Sequence, residues 1–271
     1  MQDRIERTEA CTVTVVRRVA AMLDHDPAQL RDGGPLPRGW HFIVLGGETR
    51  RSDLRADGFP GFGVPMPDLG LPRLLLAGRS VEYISDLVIG APVFRRSWVS
   101  KLDRKETANG PMSIVTIRHE LSSTGAAPPA IVEDQTYILL GLSTERAATA
   151  RPSQQVLGEN MKVLVPDETL LFQYSALGFN SHKIHIDRDY ARNAEGLPDL
   201  VVNGGLTALL LTEFMRQDIG VRPARLSAKY KAPLYCGRPM TLTAAHDGEI
   251  WRLKVYDDTG VVAVDVEVIP Q

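Results

Sequence analysis

Asn180, His182, His185 and Asp187 fall within eight residues, directly after the aromatic-rich run Phe172-Gln173-Tyr174. A short distance on, Asn203-Gly204-Gly205 opens a strongly apolar stretch. Histidine titrates nearest neutrality and can take and return a proton. Asparagine donates and accepts at once, which suits holding a water or a hydroxyl. Backbone N–H groups at a glycine-rich helix start lack intrahelical partners and sit at the positive end of the helix dipole. A carbonyl oxygen gaining negative charge would be stabilised there. Together these groups suit proton chemistry beside a carbonyl, and addition or removal of water across a double bond conjugated to a thioester.

Each piece also has a purely structural reading. A histidine more often satisfies a local hydrogen bond than it catalyses, and His182 fits that role better than His185. Asp187 suits a cap for Arg188-Asp189-Tyr190-Ala191. Gly204-Gly205 would permit close packing of a helix on a sheet. His41, His119 and His246 have no partner motif and read as structural. A zinc site from His182 and His185 lacks a third ligand at a recognisable spacing, so no metal is expected. No dinucleotide, phosphate-loop or nucleophile-elbow motif occurs.

These groups must be positioned by a chain of 271 residues, enough for one large or two medium domains. The net charge of -2 offers no basic field, which argues against nucleic acid or an anionic membrane as partner. No apolar run is long enough to span a bilayer, the N-terminus lacks a signal-peptide core, and Cys11 and Cys236 form no CxxC pair. A cytoplasmic protein is the expectation.

The first half reads as a helix over 12–23, an ambiguous apolar run over 40–45 and a Gly/Pro-rich loop over 46–72. Strands follow over 79–84, 93–102, 113–121 and 131–140. Residues 143–158 are polar, without periodicity, and read as a linker. The order then recurs: a strand over 162–165, the polar motif, a helix over 204–220, and strands over 225–230, 240–246, 251–256 and 261–269. The turns at Asp247-Gly248 and 257–260 mark hairpins. An internal duplication follows, with boundaries at 1–142 and 159–271. The helix over 204–220 is apolar along most of its length and needs a curled antiparallel sheet around it.

The run from Tyr174 to Ala191, followed by Gly196 to Leu206, resembles the MaoC-like hydratase/dehydratase superfamily. It is most similar to the branch of 3-methylfumaryl-CoA (mesaconyl-C4-CoA) hydratase, itaconyl-CoA hydratase and the type 2 hydroxyacyl-thioester dehydratases. Gly34-Pro35-Leu36-Pro37, Trp40-His41-Phe42, Leu75-Leu76-Ala77-Gly78-Arg79 and Thr116-Ile117-Arg118-His119-Glu120 are similar to that branch's N-terminal half. The resemblance implies an α+β double hot-dog fold, two antiparallel sheets each wrapped around a central helix, with the second unit catalytic and no cofactor. It implies an acyl thioester of coenzyme A or an acyl carrier protein as substrate, the acyl group short and branched or carboxylated. Asn180 and His185 then occupy the catalytic positions, with the Gly204 N–H on the thioester oxygen. Tyr174, His182, Asn203 and Gly205 are assigned to substrate binding. Asn203 replaces the histidine common at the helix start. Lys229 and Lys231, with Arg225, could meet the carrier's phosphates or be ordinary solvated strand charges. A homodimer is compatible with this pattern.

Two other functions share the fold. A thioesterase would want a carboxylate on the helix, and Glu213 is the only one mid-helix. A silent acyl-thioester-binding or assembly subunit would retain the pocket without turnover.

Overall fold

The computed structural model describes residues 4–64, 66–108, 110–141, 153, 156 and 160–271. The expected linker lies outside these residues apart from Ser153 and Val156. The first half contains β1 (Ile5–Ala10), α1 (Val13–Met22), β2 (Arg73–Tyr83), β3 (Pro92–Thr107), β4 (Gly110–Ser122) and β5 (Ile131–Leu140). The second contains β6 (Asn160–Leu164), α2 (Glu168–Leu177), α3 (Gly204–Phe214), β7 (Pro223–Tyr230), β8 (Met240–Asp247), β9 (Ile250–Tyr256) and β10 (Val262–Pro270).

The strand order is β1-β3-β4-β5-β2-β7-β10-β9-β8-β6. Read outward from the centre, the second half repeats the order of the first, which makes the duplication explicit. This is the α+β double hot-dog arrangement. The two sheets meet edge to edge: β2 pairs with β7 from Gly78↔Lys229 to Glu82↔Arg225. That pairing satisfies the backbone groups of two edges that would otherwise be open, so the sheets run as one of ten strands.

Helix α3 runs along the second half. Leu206, Leu209, Leu211 and Phe214 on it are all buried. Burial of side chains of this kind stabilises by roughly 1.5–3 kcal/mol each. The helix continues through a π-helical turn, Met215–Ile219, and ends at Gly220 with φ +76°. The halves are not equivalent in their helices. By chain order α1 is the counterpart of α2, since each follows the outermost strand of its half. The place of α3 in the first half is taken by a 3-10 turn, Trp40–Val44, and the Gly/Pro-rich loop, which holds another at Arg51–Asp53. That loop cannot sustain a helix, but it lays Phe59, Val64 and Leu71 on Leu74, Val115, Ile117 and Leu139.

Two elements, β1 and α2, are not expected from the sequence, and β2 starts earlier than expected. β1 alternates half-buried and exposed residues but carries charge on both faces, and it is held at the sheet edge by pairing with β3 and by the Glu9–Arg95 ion pair (2.8 Å). β2 begins six residues earlier than expected because Leu74–Leu76 is an apolar run without alternation, paired with Tyr137–Leu139 on β5. α2 starts under Asp167, whose carboxylate accepts from Leu170 N at 2.8 Å. Among the described residues no helix is long and apolar enough to cross a membrane.

Candidate active site

The polar motif begins where α2 stops. Gly178 ends the helix, and Phe179 turns the chain with φ +50°, a conformation costly for a bulky side chain. Two hydrogen bonds close the turn: Asn180 N to Ser175 O at 2.8 Å and His182 N to the Asn180 Oδ1 at 3.1 Å. The amide oxygen of Asn180 is therefore committed, and its Nδ2 remains as a donor. The turn is clamped by the first half. Lys183 N donates to Asp57 O (2.8 Å) and Ser181 Oγ to Gly58 O (2.7 Å). Gly58 has φ +78°, and a Cβ there would collide with Ser181 O.

His185 ends a short 3-10 turn, Lys183–His185, and is buried. Its Nδ1 lies 2.8 Å from Val201 O. A carbonyl only accepts, so Nδ1 carries the proton and donates, leaving Nε2 with the free lone pair. Burial, and then the neighbouring His182, push the His185 pKa down to about 3. The imidazole is a neutral base across the physiological range. His182 is pushed to about 3 by burial and the Arg55 cation. Its ring stands edge-on to His185 (5.3 Å) and Phe59 (5.7 Å). Asp57 lies 3.8 Å from its Nε2, beyond hydrogen-bond reach, so this neutral ring forms no ion pair with it. Asp187 caps the next turn, accepting from Tyr190 N at 2.9 Å.

The start of α3 is packed so closely that a side chain at either glycine would displace a neighbour. A Cβ on Gly204 would sit 2.8 Å from Leu76 Cδ2 and 3.2 Å from Tyr230 Cε1; one on Gly205 would run into the Tyr174 hydroxyl. Tyr230 donates from its hydroxyl to Gly204 O at 2.9 Å, and Tyr174 stacks on Phe42 at 4.6 Å. Thr207 N is the donor to Asn203 O (3.0 Å), so the N–H groups of Gly204 and Gly205 precede the helical ladder. Asn203 is buried and donates from Nδ2 to Ser175 Oγ (3.3 Å), while its Oδ1 has no partner.

A cavity of about 430 Å³ brings these groups together. Asn180, His182 and His185 line it from the motif, Tyr174 from α2, and Asn203, Gly204 and Gly205 from the start of α3. Lys231 reaches its rim but is exposed and paired with Asp265 (2.7 Å). Lys229 is exposed and is not part of the lining, and Arg225 is paired with Glu82 (2.8 Å). Of the basic residues suggested for the carrier, only Lys231 is at the cavity.

The first half, whose 46–72 loop is expected from the sequence to help shape an acyl pocket, contributes side chains that carry no site role in the sequence motif. Phe59, Leu74, Arg79, Gln135 and Tyr137 line the same cavity. Strand parity carried a signal: β5 alternates strictly, with Glu133, Gln135 and Tyr137 on its buried face. Arg79 shares a facing with the buried Val81 and Tyr83 on β2. His41, set aside as structural, holds Glu133 at 2.6 Å. His119 is buried against Ser97 Oγ at 2.8 Å.

Glu213 is not available for a thioesterase mechanism. It accepts from Trp40 Nε1 (2.7 Å), lies 2.7 Å from His25 Nε2 and pairs with Arg216, and it does not line the cavity. It fastens α3 to the first half. Among the described residues no cluster of His, Cys, Asp and Glu could hold a metal ion.

Residues 39–236 match the sequence profile of the hydroxyacyl-thioester dehydratase type 2 family. The chain is 31% identical over 267 residues to a mesaconyl-C(4)-CoA hydratase of Chloroflexus aurantiacus, covering 98% of this chain and 95% of that protein. Among solved structures, a MaoC-like dehydratase from Phytophthora capsici superposes with a TM-score of 0.71 at 12% identity, covering 100% of this chain and 95% of that one. A double hot-dog protein from Mycobacterium tuberculosis superposes with a TM-score of 0.61 at 11% identity, covering 100% and 96%. The profile spans most of the chain and includes both the polar motif and the start of α3. The chain belongs to the type 2 hydroxyacyl-thioester dehydratase family and is a MaoC-like hydratase/dehydratase, a hydro-lyase.

Proposed function

We propose that the protein catalyses the reversible hydration of an enoyl thioester to the 3-hydroxyacyl thioester, with a short acyl group, branched or carboxylated, carried on coenzyme A or an acyl carrier protein. The observation that carries this reading is the pairing, in one cavity, of His185 with the start of α3. The imidazole is neutral, its Nδ1 is tied to Val201 O, and the Gly204-Gly205 N–H groups begin the helix beside it.

In the hydration direction the thioester oxygen accepts from the N–H groups at Gly204 and Gly205. The water donates to His185 Nε2 and accepts from Asn180 Nδ2, the half of that amide its turn leaves free. His185 takes the water's proton as the oxygen bonds to Cβ. The π electrons move onto the thioester, and the enolate-like oxygen is held by the helix start. The imidazolium returns the proton to Cα, which restores the thioester and the neutral histidine. Dehydration is the reverse. Asn203 and Tyr174 contact the thioester end, and His182 walls the pocket without exchanging protons. The second half supplies the chemistry, and the first half shapes the acyl pocket. The mesaconyl-C(4)-CoA hydratase relative motivates a carboxylated, branched acyl group.

Mass spectrometry of a panel of enoyl-CoA thioesters incubated with the protein tests the reading. One or more should gain a water, and His185→Ala should lower the rate on the order of 10²–10⁴-fold. Undiminished turnover in that variant would remove His185 from the mechanism.

A further inference from the structure

The cavity wall includes a buried cation that hydration of a hydrocarbon chain does not require. Arg79 is 6% exposed and lines the cavity wall on β2. Its Nη2 donates to Glu133 Oε2 at 2.8 Å. Glu133 is fully buried, and its other partners are His41 on Oε2 and the Gln135 amide on Oε1, each at 2.6 Å. Gln135 in turn accepts from the Tyr137 hydroxyl at 2.6 Å. The carboxylate is thus saturated by three donors, and Gln135 is used at both ends. Arg79 is not: its Nε is buried without a partner. Burial works against the guanidinium charge, but Glu133 more than offsets this and keeps Arg79 protonated.

A buried N–H without a partner on a side chain that lines the acyl pocket is costly when the occupant is hydrocarbon. It is matched when the occupant brings acceptors, and a guanidinium fork fits a carboxylate best. The fork is also placed for a short chain. Arg79 lies opposite Ala228 across the β2–β7 seam, two residues from Tyr230, whose hydroxyl touches Gly204 O. A thioester held at the α3 start and a carboxylate held by Arg79 are therefore ends of one compact acyl group. We propose that Arg79, oriented by Glu133, is the specificity-determining residue that binds a free carboxylate at the far end of the acyl chain. The substrate is then the monothioester of a short unsaturated dicarboxylic acid. This assignment rests on the hydration reading for turnover but not for binding.

The test compares coenzyme A monothioesters matched in length with and without the terminal carboxylate. Fumaryl-CoA and crotonyl-CoA serve for hydration, and the unreactive succinyl-CoA and butyryl-CoA for calorimetric binding. In the unaltered protein the carboxylated member of each pair should be favoured on the order of 100-fold, the worth of a charge-assisted fork in a dry site. Arg79→Lys keeps the charge, loses the fork and should reduce that ratio at least 10-fold. The double variant Arg79→Gln with Glu133→Gln removes both charges, leaves no orphaned ion, and should bring the ratio near unity. Circular dichroism checks that each variant folds. No preference for the carboxylated members in the unaltered protein, or a preference that survives in both variants, would overturn the assignment. A succinyl-over-butyryl preference lost in the variants, with no thioester gaining water, would uphold Arg79 and refute the hydration reading.

Discussion

Three imidazoles are folded into this protein in the neutral form, and acid should expose the cost. Burial first and foremost holds His182 and His185 to about 3 and His119 to about 4, against about 6.5 in an unfolded chain. Above about pH 6.5 neither state binds the proton, and stability is unaffected. Below it the unfolded chain takes up protons that the folded chain refuses, so stability falls with pH until the folded values are reached. At about pH 4.5, roughly two units below the unfolded value, each histidine accounts for about 2.7 kcal/mol at ~1.36 kcal/mol per unit. Three together approach ~8 kcal/mol, comparable with the ~5–15 kcal/mol that holds a typical domain folded. Burial pushes Glu133 up, but Arg79 and His41 pull it further down, and its contribution is lost only as pH falls below about 4.5. Urea denaturation at about pH 7.5 and 4.5 measures the loss directly. His119→Gln and His182→Gln should each remove about 2.7 kcal/mol of the pH-dependent part, whatever they do to stability at neutral pH. A change below about 1 kcal/mol between the two pH values, or variants that keep the full loss, would refute the burial of neutral imidazoles.

The same shift governs the rate. kcat/KM for hydration should stay flat from neutrality down to about pH 5, because His185 remains a free base until well below the ordinary histidine range. An acid limb centred near 6.5 would contradict the desolvated base. Asn180→Asp should move the acid limb upward in pH profiles, because a carboxylate beside the imidazole stabilises its protonated form. Gly205→Ala should cost about 1–3 kcal/mol in thermal unfolding and depress kcat/KM, because its methyl displaces the Tyr174 hydroxyl at the α3 start. Tyr174→Phe in that background should recover part of the stability; no recovery would place the clash elsewhere. Glu213→Ala should lower stability by roughly 2–4 kcal/mol, since Trp40 Nε1, His25 and Arg216 all lose their acceptor. Activity per folded molecule should survive it, and a collapse of kcat in the folded fraction would return Glu213 to the chemistry.

Much of this protein was written in local pattern. The apolar run from Leu206 to Phe214 announces a helix that must be wrapped, and the alternation of β5 and of Arg225–Tyr230 on β7 announces the sheet that wraps it. Asn180, His185 and Gly204, which line one cavity, stand out as candidates because residue type and short-range spacing are legible in a sequence, and a turn and a helix start are short-range structures. Tertiary structure decided the remainder. Which imidazole nitrogen is basic depends on Val201 O, sixteen residues away. That a methyl at Gly205 meets a hydroxyl depends on a Tyr174 side chain arriving from another helix. Lys229 and Lys231 are two residues apart and look alike in the sequence; only Lys231, just past the end of β7, reaches the cavity. The loop over 46–72, structureless by composition, becomes a packed cover because the first sheet offers its apolar face to Phe59 and Val64. The set of Arg79, Glu133 and His41 comes from three separate segments and is joined only by hydrogen bonds across the sheet. Burial, pairing and desolvation depend on neighbours distant in the chain, so single-chain periodicity shows that a residue faces inward but not what it meets there.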